Sequence, residues 1–515
     1  MSNANCAGLL VLMSSLIGLG VQRDALAQPT DDHLDADLKL SDFVRRVLVR
    51  NDSVQQKQLE SEAEKHRYKA ERGIFEPQVT TSATHEENNQ QNTIQQQLST
   101  LSPTFDEKNN LYDAGLEALV PTGAKVRLGY SLQDLHNNLQ TQATLTTQGF
   151  TNGEYVSFFG LTVTQPLLKN GWASATKAGI RTAELGSKIA FQEYRRQLMT
   201  IVSTAEASYW NLFLAQEQVG FFEDSVKTAE TILSDNKTRL QAGVGSQLDV
   251  LQAQAGLALR RSKLSEAQQR LTEAADRMIT LCSDRVPVQG VELRAVDAPE
   301  LGPELSKSRE VIQTAFDLNP DYAIQREKLQ QAMVRLGYAR NQHLPELNLK
   351  TAYGLNGLGA STGASWDDLQ HANYPSWSAG LELRVPLGGG TKTRHELQAA
   401  RLQVEAAEAG IRDLATQIFN GLDSACHKIQ SSRDSVAGYR ASVDYNQRLL
   451  DDSLARLKAG KLESRRVLEI EADLLDAKTS VVDALVQYQR ARLELELLEG
   501  TVLKERHLEV KQSAM

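Results

Sequence analysis

The chain has 515 residues, a formal net charge of −9 and a sequence pI of about 5.6, and its basic residues are scattered among acidic ones. This balance argues against a nucleic-acid-binding protein, which needs a concentrated basic surface. Aromatic residues and prolines are few, and long stretches are rich in Glu, Gln, Ala, Leu and Arg, a composition that indicates extended helices rather than a β-sandwich or a Rossmann domain.

The first 27 residues have the pattern of a secretory signal peptide. An apolar run from Leu9 to Val21 is followed by Ala25-Leu26-Ala27, a small-residue cleavage site. We therefore expect the mature protein to begin at Gln28. No Lys or Arg precedes the apolar run, so a buried helix of the mature protein is the alternative. Cys6 lies before the run, and we expect no lipid anchor.

One stretch of sequence occurs twice in the chain. Nine residues spread from Val219 to Leu251 recur 217 positions later, from Val436 to Leu468, without a gap. A duplication of this length predicts two similar structural halves. The predicted organisation is a signal peptide over 1–27, an N-terminal segment over 28–40, a first repeat over 41–289, an equatorial linker over 290–307, a second repeat over 308–506 and a tail over 507–515.

The long helical stretches carry a coiled-coil pattern. Between Trp172 and Gly243, apolar residues alternate at steps of four and three, and the second half repeats this seam in register. Each stretch of about 70 residues would form a helix roughly 100 Å long, longer than any globular core is deep. The predicted seam residues are Leu198, Val202, Ala205, Tyr209, Leu212, Val219, Phe222, Val226, Ala229, Leu233 and Leu240, then Ile418, Leu422, Ala425, Ile429, Val436, Tyr439, Val443, Leu450 and Leu457.

Two shorter helices flank each long one. In each half the two shorter lengths together match the long helix, so we expect them to stack end to end beside it in a rod two helices wide. The rod would end in a hairpin tip at Ala242-Gly243 or Ala459-Gly460, where glycine suits a helix end. The predicted short helices cover about 41–74 and 246–282 in the first half, and about 309–342 and 463–500 in the second.

Between the first short helix and the long helix, each half contains strands that alternate apolar and polar residues. About ten residues is the length of a strand that crosses a bilayer. With the export signal and the long rods, this pattern favours a membrane-spanning barrel over a soluble hairpin with one dry face. Pro166 and Pro386, which match at an offset of 220, then mark a swivel from barrel to helix. The predicted strands cover about 78–87, 154–164, 346–356 and 376–385.

The first half carries an insertion after Pro77, because Pro77 and Pro345 match at the larger offset of 268. Within it, about 111–132 is predicted to form a hairpin around Pro121-Thr122-Gly123. The sequence leaves open whether this hairpin adds two barrel strands or lies outside the barrel. The polar stretch from Glu86 to Asn110 is typical of a long surface loop.

Three motifs give the chain a specific resemblance. It resembles the TolC-type outer-membrane efflux protein family over most of its length. The resemblance implies a mainly α protein with a β part: a trimeric outer-membrane β-barrel continued by a long α-helical coiled-coil barrel, internally duplicated. The motifs lie at the swivel, at the first tip and at the start of each half: Gln165-Pro166-Leu167-Leu168; Arg239 to Gly243 followed by Ser246 to Gln254; and Leu40 to Asn51 echoed by Val311 to Asn319.

The resemblance also implies partners and a role. It implies a homotrimer in outer-membrane lipid, docked on a periplasmic adaptor and an inner-membrane efflux pump, as the exit duct of a tripartite efflux or type I secretion system without a cofactor. A protomer with four to six strands would leave two bare sheet edges in lipid, so several protomers must share one barrel. A passive porin and a coiled-coil envelope scaffold are the alternatives. The exported substrate is left open.

No catalytic or metal-binding pattern stands out, and we expect no enzymatic activity. The stretch from Gly388 to Thr393 lacks the Gly-Lys-Ser/Thr order of a phosphate loop. Cys426-His427 has no second ligand pair at metal spacing. After signal cleavage only Cys282 and Cys426 remain, which excludes a disulfide framework. Glu471 and Asp473 are expected on a solvated helix face.

The hairpin tips carry the candidate functional residues. The repeat places Asp249 where the second tip has Arg466, and Arg465 and Arg466 stand where the family would have an acid. We expect an acid on one tip to pair with an arginine on the neighbouring tip in the closed gate; four solvated charges without contact are the alternative. The gate candidates are Asp249, Gln252, Arg465, Arg466 and Glu469, and the adaptor-docking candidates are Ala242, Gly243, Val244, Gly245, Ser246, Ala459, Gly460, Lys461 and Ser464.

Overall fold

The structure of the protein is a computed structural model. The predicted signal peptide, most of the predicted N-terminal segment and tail, part of the predicted linker, and Gly460 lie outside the residues it describes. The described residues are 37–100, 102–138, 153–283, 293–303, 308–388, 390–459, 461–508 and 510.

Helices dominate the described chain. Two of them, with 64 and 68 residues, are about 100 Å long. Within the described ranges, no helix is both long and apolar enough to cross a membrane. The helices are α1 (Leu40–Arg50), α2 (Asp52–Arg72), α3 (Ile94–Thr100), α4 (Trp172–Thr176), α5 (Ala178–Gln241), α6 (Gln247–Leu281), α7 (Ser308–Leu318), α8 (Pro320–Gln342), α9 (Thr362–Gln370), α10 (Thr391–Lys458), α11 (Ser464–Glu499) and α12 (Val502–Glu505).

The long helices form two hairpins that lie side by side. α5 packs against α6, α10 packs against α11, and α11 also contacts α5. Nearer the sheet, α2 packs on α5, while α8 packs on both α5 and α10. Each half is therefore a rod two helices wide, as the repeat and the seam predict.

A repeated asparagine joins the short helices end to end. The predicted first short helix of each half is in fact two helices, which separate at Asn51 and Asn319. Each asparagine has an extended backbone, and its side chain caps the helix that follows. Its amide also donates to a carbonyl in the last turn of another helix, Asn51 to Leu281 and Asn319 to Leu498, both at 2.9 Å. α2 thus continues α6, and α8 continues α11.

The predicted seam is buried in part. In the second half Ile418, Leu422 and Ala425 are buried, whereas Tyr439 is 42% exposed, against expectation. In the half of α5 nearer the hairpin tip, the buried positions include two polar residues, Ser225 and Asn236. The predicted seam residues Val219, Phe222 and Val226 are only half-buried there. The polar residues occupy the seam because each hydrogen-bonds to a side chain of another helix.

Six strands form one antiparallel sheet in the order β2-β3-β4-β5-β7-β8, and a separate short pair, β1 and β6, is parallel. The inserted hairpin contributes β3 and β4, which lie inside the sheet between β2 and β5. The strands are β1 (Asp37–Leu38), β2 (Gln78–Gln91), β3 (Thr104–Leu119), β4 (Lys125–Asn137), β5 (Glu154–Pro166), β6 (Arg294–Ala295), β7 (Glu346–Gly359) and β8 (Pro375–Arg384).

The polar stretch from Glu86 to Asn110 is mostly sheet, so the prediction of a surface loop was wrong. β2 continues to Gln91, α3 follows, and β3 begins at Thr104. Strands pair through backbone hydrogen bonds, so a polar sequence can also form a sheet. Asn88, for example, donates across the two strands to Glu107 at 3.0 Å, and such cross-strand pairs stabilise a sheet.

The two faces of the sheet differ in polarity. Residues paired across neighbouring strands point to the same side. On one side, here the charged face, Arg127 pairs with Asp113 and Glu117, and Lys350 pairs with Glu382. The other side, the apolar face, carries one continuous row of large side chains: Val79, Leu116, Leu128, Leu161, Tyr353 and Trp377.

The largest apolar cluster lies where α1, α5, α6, α11 and α12 meet. Phe43, Met199 and Tyr209 are fully buried there, and burying side chains of this size contributes about 1.5–3 kcal/mol each. Val502 and Leu503 of α12 belong to the same cluster. The segment after α11 is therefore part of the folded core.

Candidate functional site at the hairpin tips

The first tip joins α5 to α6 through a tight, exposed turn. Gly243 has a φ of +75°, in the left-handed region that other residues rarely occupy. Ser246 then caps α6: its hydroxyl accepts from the backbone N–H of Leu248 at 3.1 Å, and the Asp249 carboxylate accepts from the N–H of Ser246 at 3.3 Å. Asp249 therefore has a structural role within its own tip.

The end of the first tip is apolar. Val244 is 79% exposed and Leu248 is 61% exposed. Ala242 and Ser246 beside them are also exposed, and Gly245 is half-buried. These side chains give the first tip a small exposed apolar surface.

The second tip runs from the end of α10 to the start of α11. Ala459 and Lys461 are exposed, and the N–H of Lys461 donates to the carbonyl of Arg456 at 2.9 Å. Ser464, a predicted docking residue, is only 3% exposed. Its hydroxyl donates to the Asn236 side chain at 2.9 Å, so in the protomer this hydroxyl lies buried between the two tips.

Polar contacts hold the two tips of one protomer together. The Asn236 amide accepts from Ser464 and donates to the backbone carbonyl of Asp249 at 3.2 Å. Arg239 donates to the backbone carbonyl of Leu457 at 2.6 Å. A cation at this place also interacts favourably with the C-terminal end of α10. The first tip is thus bonded to both helices of the second hairpin.

Three of the five gate candidates contact one another. Arg465 and Arg466 bind the two carboxylate oxygens of Glu469 at 3.0 and 3.1 Å, and hydrogen bonds from Arg466 and Arg465 hold the pKa of Glu469 below its usual value. Within the described part of the protomer, no ion pair joins Asp249 to Arg466. Gln252 is half-buried on the same helix as Asp249.

A buried ion pair, missed by the sequence reasoning, joins the two hairpins beyond the tips. The side chains of Arg260 on α6 and Glu471 on α11 are 9% and 7% exposed and bind each other. The same guanidinium donates to the Ser225 hydroxyl at 3.0 Å and to the carbonyls of Gly256 at 3.2 Å and Leu468 at 3.0 Å. Burying such a pair is tolerated when the remaining donors are satisfied in this way.

The expectation that Glu471 lies on a solvated face was wrong. Glu471 follows Val467 by four positions and precedes Leu474 by three, and both of these residues are buried. This spacing places the carboxylate on the core stripe of α11. An acid at a core position was the available signal for a buried cationic partner. Asp473 is exposed, as expected.

A second charged cluster fixes the segment after α11. Arg506 binds both carboxylate oxygens of Glu206 on α5, and it binds Glu496 on α11 at 2.6 Å. Arg492 binds the other oxygen of Glu496 at 3.0 Å. Burial raises the pKa of Glu206. Although burial opposes it, hydrogen bonding to Glu206 raises the pKa of Arg506.

The predicted swivel residues lie where sheet passes into helix. Pro166 is the last residue of β5, and Pro386 follows β8 by two positions. After Pro166, the side chain of Asn341 accepts from the N–H of Asn170 at 2.7 Å and donates to the carbonyl of Leu168 at 3.0 Å. The end of α8 therefore holds the first of the two junctions.

Both halves match one protein family. The family described as "Outer membrane efflux protein" matches residues 125–282 and 311–501. The matched ranges contain the two helical hairpins with their tips and four strands of the sheet.

Several known proteins are similar to the chain. The alkaline protease secretion protein AprF of Pseudomonas aeruginosa is 24% identical over 404 residues, which cover 76% of this chain and 79% of AprF. Outer membrane protein TolC of Escherichia coli is 21% identical over 318 residues, 60% of this chain and 63% of TolC. The solved outer-membrane channel OprN gives a TM-score of 0.64 at 15% identity, covering 90% of this chain and 89% of OprN. The CmeC channel of Campylobacter jejuni gives 0.63 at 16% identity, covering 90% and 85%.

The family match extends over more than half of the chain. The solved channels share its fold across nine-tenths of its length. The duplicated hairpins and the amphipathic sheet agree with both findings. The chain therefore belongs to the outer membrane efflux protein family, as a channel of the outer membrane that extends into the periplasm and serves as an exit duct.

Proposed function

We propose that three copies of the chain form the duct of a tripartite efflux or type I secretion system, with the hairpin tips docked on a periplasmic adaptor that connects them to an inner-membrane pump. The observation that carries this proposal is the continuity of an amphipathic sheet with helical rods about 100 Å long. The apolar face suits lipid, and the rods are long enough to bring the tips to partners far from the outer membrane.

The sheet and the rods both call for further copies. Among the described residues, β2 and β8 each pair along one edge only, and a bare edge in lipid is prohibitively costly. A wall segment two helices wide in each half likewise needs neighbours to enclose a channel. A homotrimer meets both needs.

Deletion of the gene, with complementation, tests this function. Similar proteins are named for protease secretion and for pyoverdine export, so both polypeptide and small-molecule cargo should be measured. We expect the deletion strain to lose proteins from the medium or to accumulate small toxic compounds, and the wild-type gene to restore export. If neither measurement changes on deletion, the proposed function is wrong.

The variant Gly243→Val is expected to impair export while trimers form normally. The left-handed backbone costs a β-branched residue about 1–2 kcal/mol. An added Cβ would meet no other atom within 4 Å, so the damage is confined to the turn. Export assays and native mass measurement of the purified protein check both parts.

Gly243→Asn is the matched control, because asparagine tolerates the left-handed conformation; it should keep export. The change Gly460→Val tests the second tip in the same way, at a position outside the described residues. Normal export by both valine variants would show that docking occurs elsewhere.

We also propose that Asp249 pairs with Arg466 of a neighbouring tip when the channel is closed. In the protomer Asp249 caps α6 and Arg466 binds Glu469, so both charges are held at the tips. Each exposed pair is worth only about 0–1 kcal/mol, but three copies act on one gate. Asp249→Arg is expected to raise the closed-state current in planar bilayers, and adding Arg466→Asp should restore it.

Asp249→Asn separates charge from capping, because the amide oxygen still accepts from Ser246. It should raise the current less than Asp249→Arg does. An unchanged current in Asp249→Arg, or no recovery in the double variant, would show that the charges do not pair.

A further inference from the structure

The insertion enlarges the sheet from its middle. By the repeat, β2 matches β7 at an offset of 268 and β5 matches β8 at 220. In the second half β7 and β8 are direct neighbours. In the first half β2 and β5 are not, because β3 and β4 lie between them. The duplicated pattern alone would supply four strands, whereas the sheet in the described part of the chain has six.

We infer that three protomers close one barrel of eighteen strands, in which β8 of one protomer pairs with β2 of the next. The inference rests on the trimer proposed above and concerns the size and register of its barrel. Six strands from each of three copies make eighteen, whereas the repeated strands alone would make twelve. All neighbouring strands in the six-stranded sheet are antiparallel, so β2 and β8 run in opposite directions and their pairing continues the pattern.

The pairing of β5 with β7 inside the protomer predicts the register in which β8 pairs with β2 of the neighbouring protomer. β5 pairs with β7 where the first half meets the second. Because β8 matches β5 and β2 matches β7, β8 and the neighbour's β2 repeat this junction. Thr164 lies opposite Lys350 in the protomer. The equivalent pair between protomers is Arg384 opposite Ser82.

This register keeps the two faces of the sheet matched. Arg384 and Ser82 both lie on the charged face, and the next pair, Leu383 and Ala83, lies on the apolar face. The two offsets depend only on the matching residues of the repeat and are independent of the two faces. A slip of one residue would put every apolar side chain on the wrong side, so the agreement supports the register.

A row of glycines lets the enlarged sheet bend toward its charged face. Because these glycines lie side by side on neighbouring strands, one row across the charged face has no Cβ atoms. The Arg127 and Phe158 side chains occupy the space that those Cβ atoms would fill. Glycines placed in this way permit a sheet to curve, so the charged face lines the lumen and the apolar face meets lipid. Directly opposite one another on four adjacent strands are Gly115, Gly129, Gly160 and Gly354.

Eighteen strands also match the circumference of the helical wall. With strands about 4.8 Å apart and tilted by about 40°, eighteen strands give a barrel about 36 Å across and twelve give about 24 Å. Near the sheet one protomer presents α2, α5, α8 and α10, and near the tips α6, α5, α11 and α10. Twelve helices about 9–10 Å apart make a ring about 34–38 Å across. The eighteen-stranded barrel therefore has about the same diameter as the helical ring that continues it.

Disulfide crosslinking tests the inference. In a trimeric Cys282→Ala, Cys426→Ser background, Ser82→Cys combined with Arg384→Cys should give covalent dimers and trimers after mild oxidation of membranes. Ala83→Cys with Leu383→Cys gives a second pair in the same register. The matched control is Ser82→Cys with Gly380→Cys, four residues away on the same face, which should remain uncrosslinked.

A twelve-stranded barrel would instead exclude β2 and β3 and place β8 beside the neighbour's β4. Lys125→Cys with Arg384→Cys would then crosslink. That result, or trimers in which neither registered pair crosslinks, would overturn the inference and leave the exit-duct function standing. A protein that is not trimeric by native mass would overturn both.

Discussion

Replacing Arg260 by methionine is expected to destabilise the helical rod by about 3–5 kcal/mol, the usual cost of removing one partner of a buried ion pair. Glu471 would remain buried at the contact between the two hairpins without a cation. Ser225, Gly256 and Leu468 would also each lose one hydrogen bond from the guanidinium. Thermal denaturation of the detergent-purified protein, followed by circular dichroism, measures the loss.

The neighbouring residue provides a matched control. Arg261 also pairs with a carboxylate, Glu230, but the two side chains are 62% and 48% exposed. Arg261→Met should therefore change the stability by only about 0–1 kcal/mol. The double variant Arg260→Met, Glu471→Leu should recover most of the loss, because apolar residues often replace a buried pair without cost. Equal stability of the two single variants would contradict the structural role of the buried pair.

Replacing Arg506 by methionine is expected to cost about 3 kcal/mol near pH 8 and clearly less near pH 5. Burial already raises the pKa of Glu206, and loss of the cation would raise it further. An acid whose pKa is raised by folding stabilises the folded state below its usual pKa and loses that contribution as the pH rises through the folded value. Protonation of Glu206 at low pH therefore reduces the loss of stability in the variant.

Denaturation of wild type and variant at both pH values measures this difference. Lys504→Met is the control, because Lys504 is exposed on α12, the short helix that Arg506 directly follows, and its loss should have little effect at either pH. If Arg506→Met loses the same stability at both pH values, Glu206 is not the group left unpaired. The prediction would then be wrong.

The apolar part of the architecture could be predicted from the sequence. The seam positions Ile418, Leu422 and Ala425 are buried as expected, because a period of about 3.5 residues leaves little choice about which helix face is covered. The strand pattern also predicts which residues share a face, since alternating residues point to opposite faces. Both signals depend only on neighbours along the chain.

The polar part could not be predicted in the same way. Asn236, Ser464 and Glu471 occupy buried positions because each meets a partner on another helix, and the sequence does not show which residues meet across helices. The polar strands between Glu86 and Asn110 were missed for a related reason, since their pairing depends on the backbone of the neighbouring strand. The match of Asn51 with Asn319 is visible in the repeat, but the sequence pattern predicts one continuous helix through each, because the hydrogen bonds that form the joint go to other helices.

Electron cryo-microscopy of the protein in lipid nanodiscs tests most directly whether three copies form one duct. We expect a three-fold particle in which a single lumen runs from the lipid-embedded sheet, between the rods, to the hairpin tips about 100 Å away. A particle in which each chain lies alone, or in which no common lumen passes from the sheet to the tips, would contradict an exit duct formed by this chain.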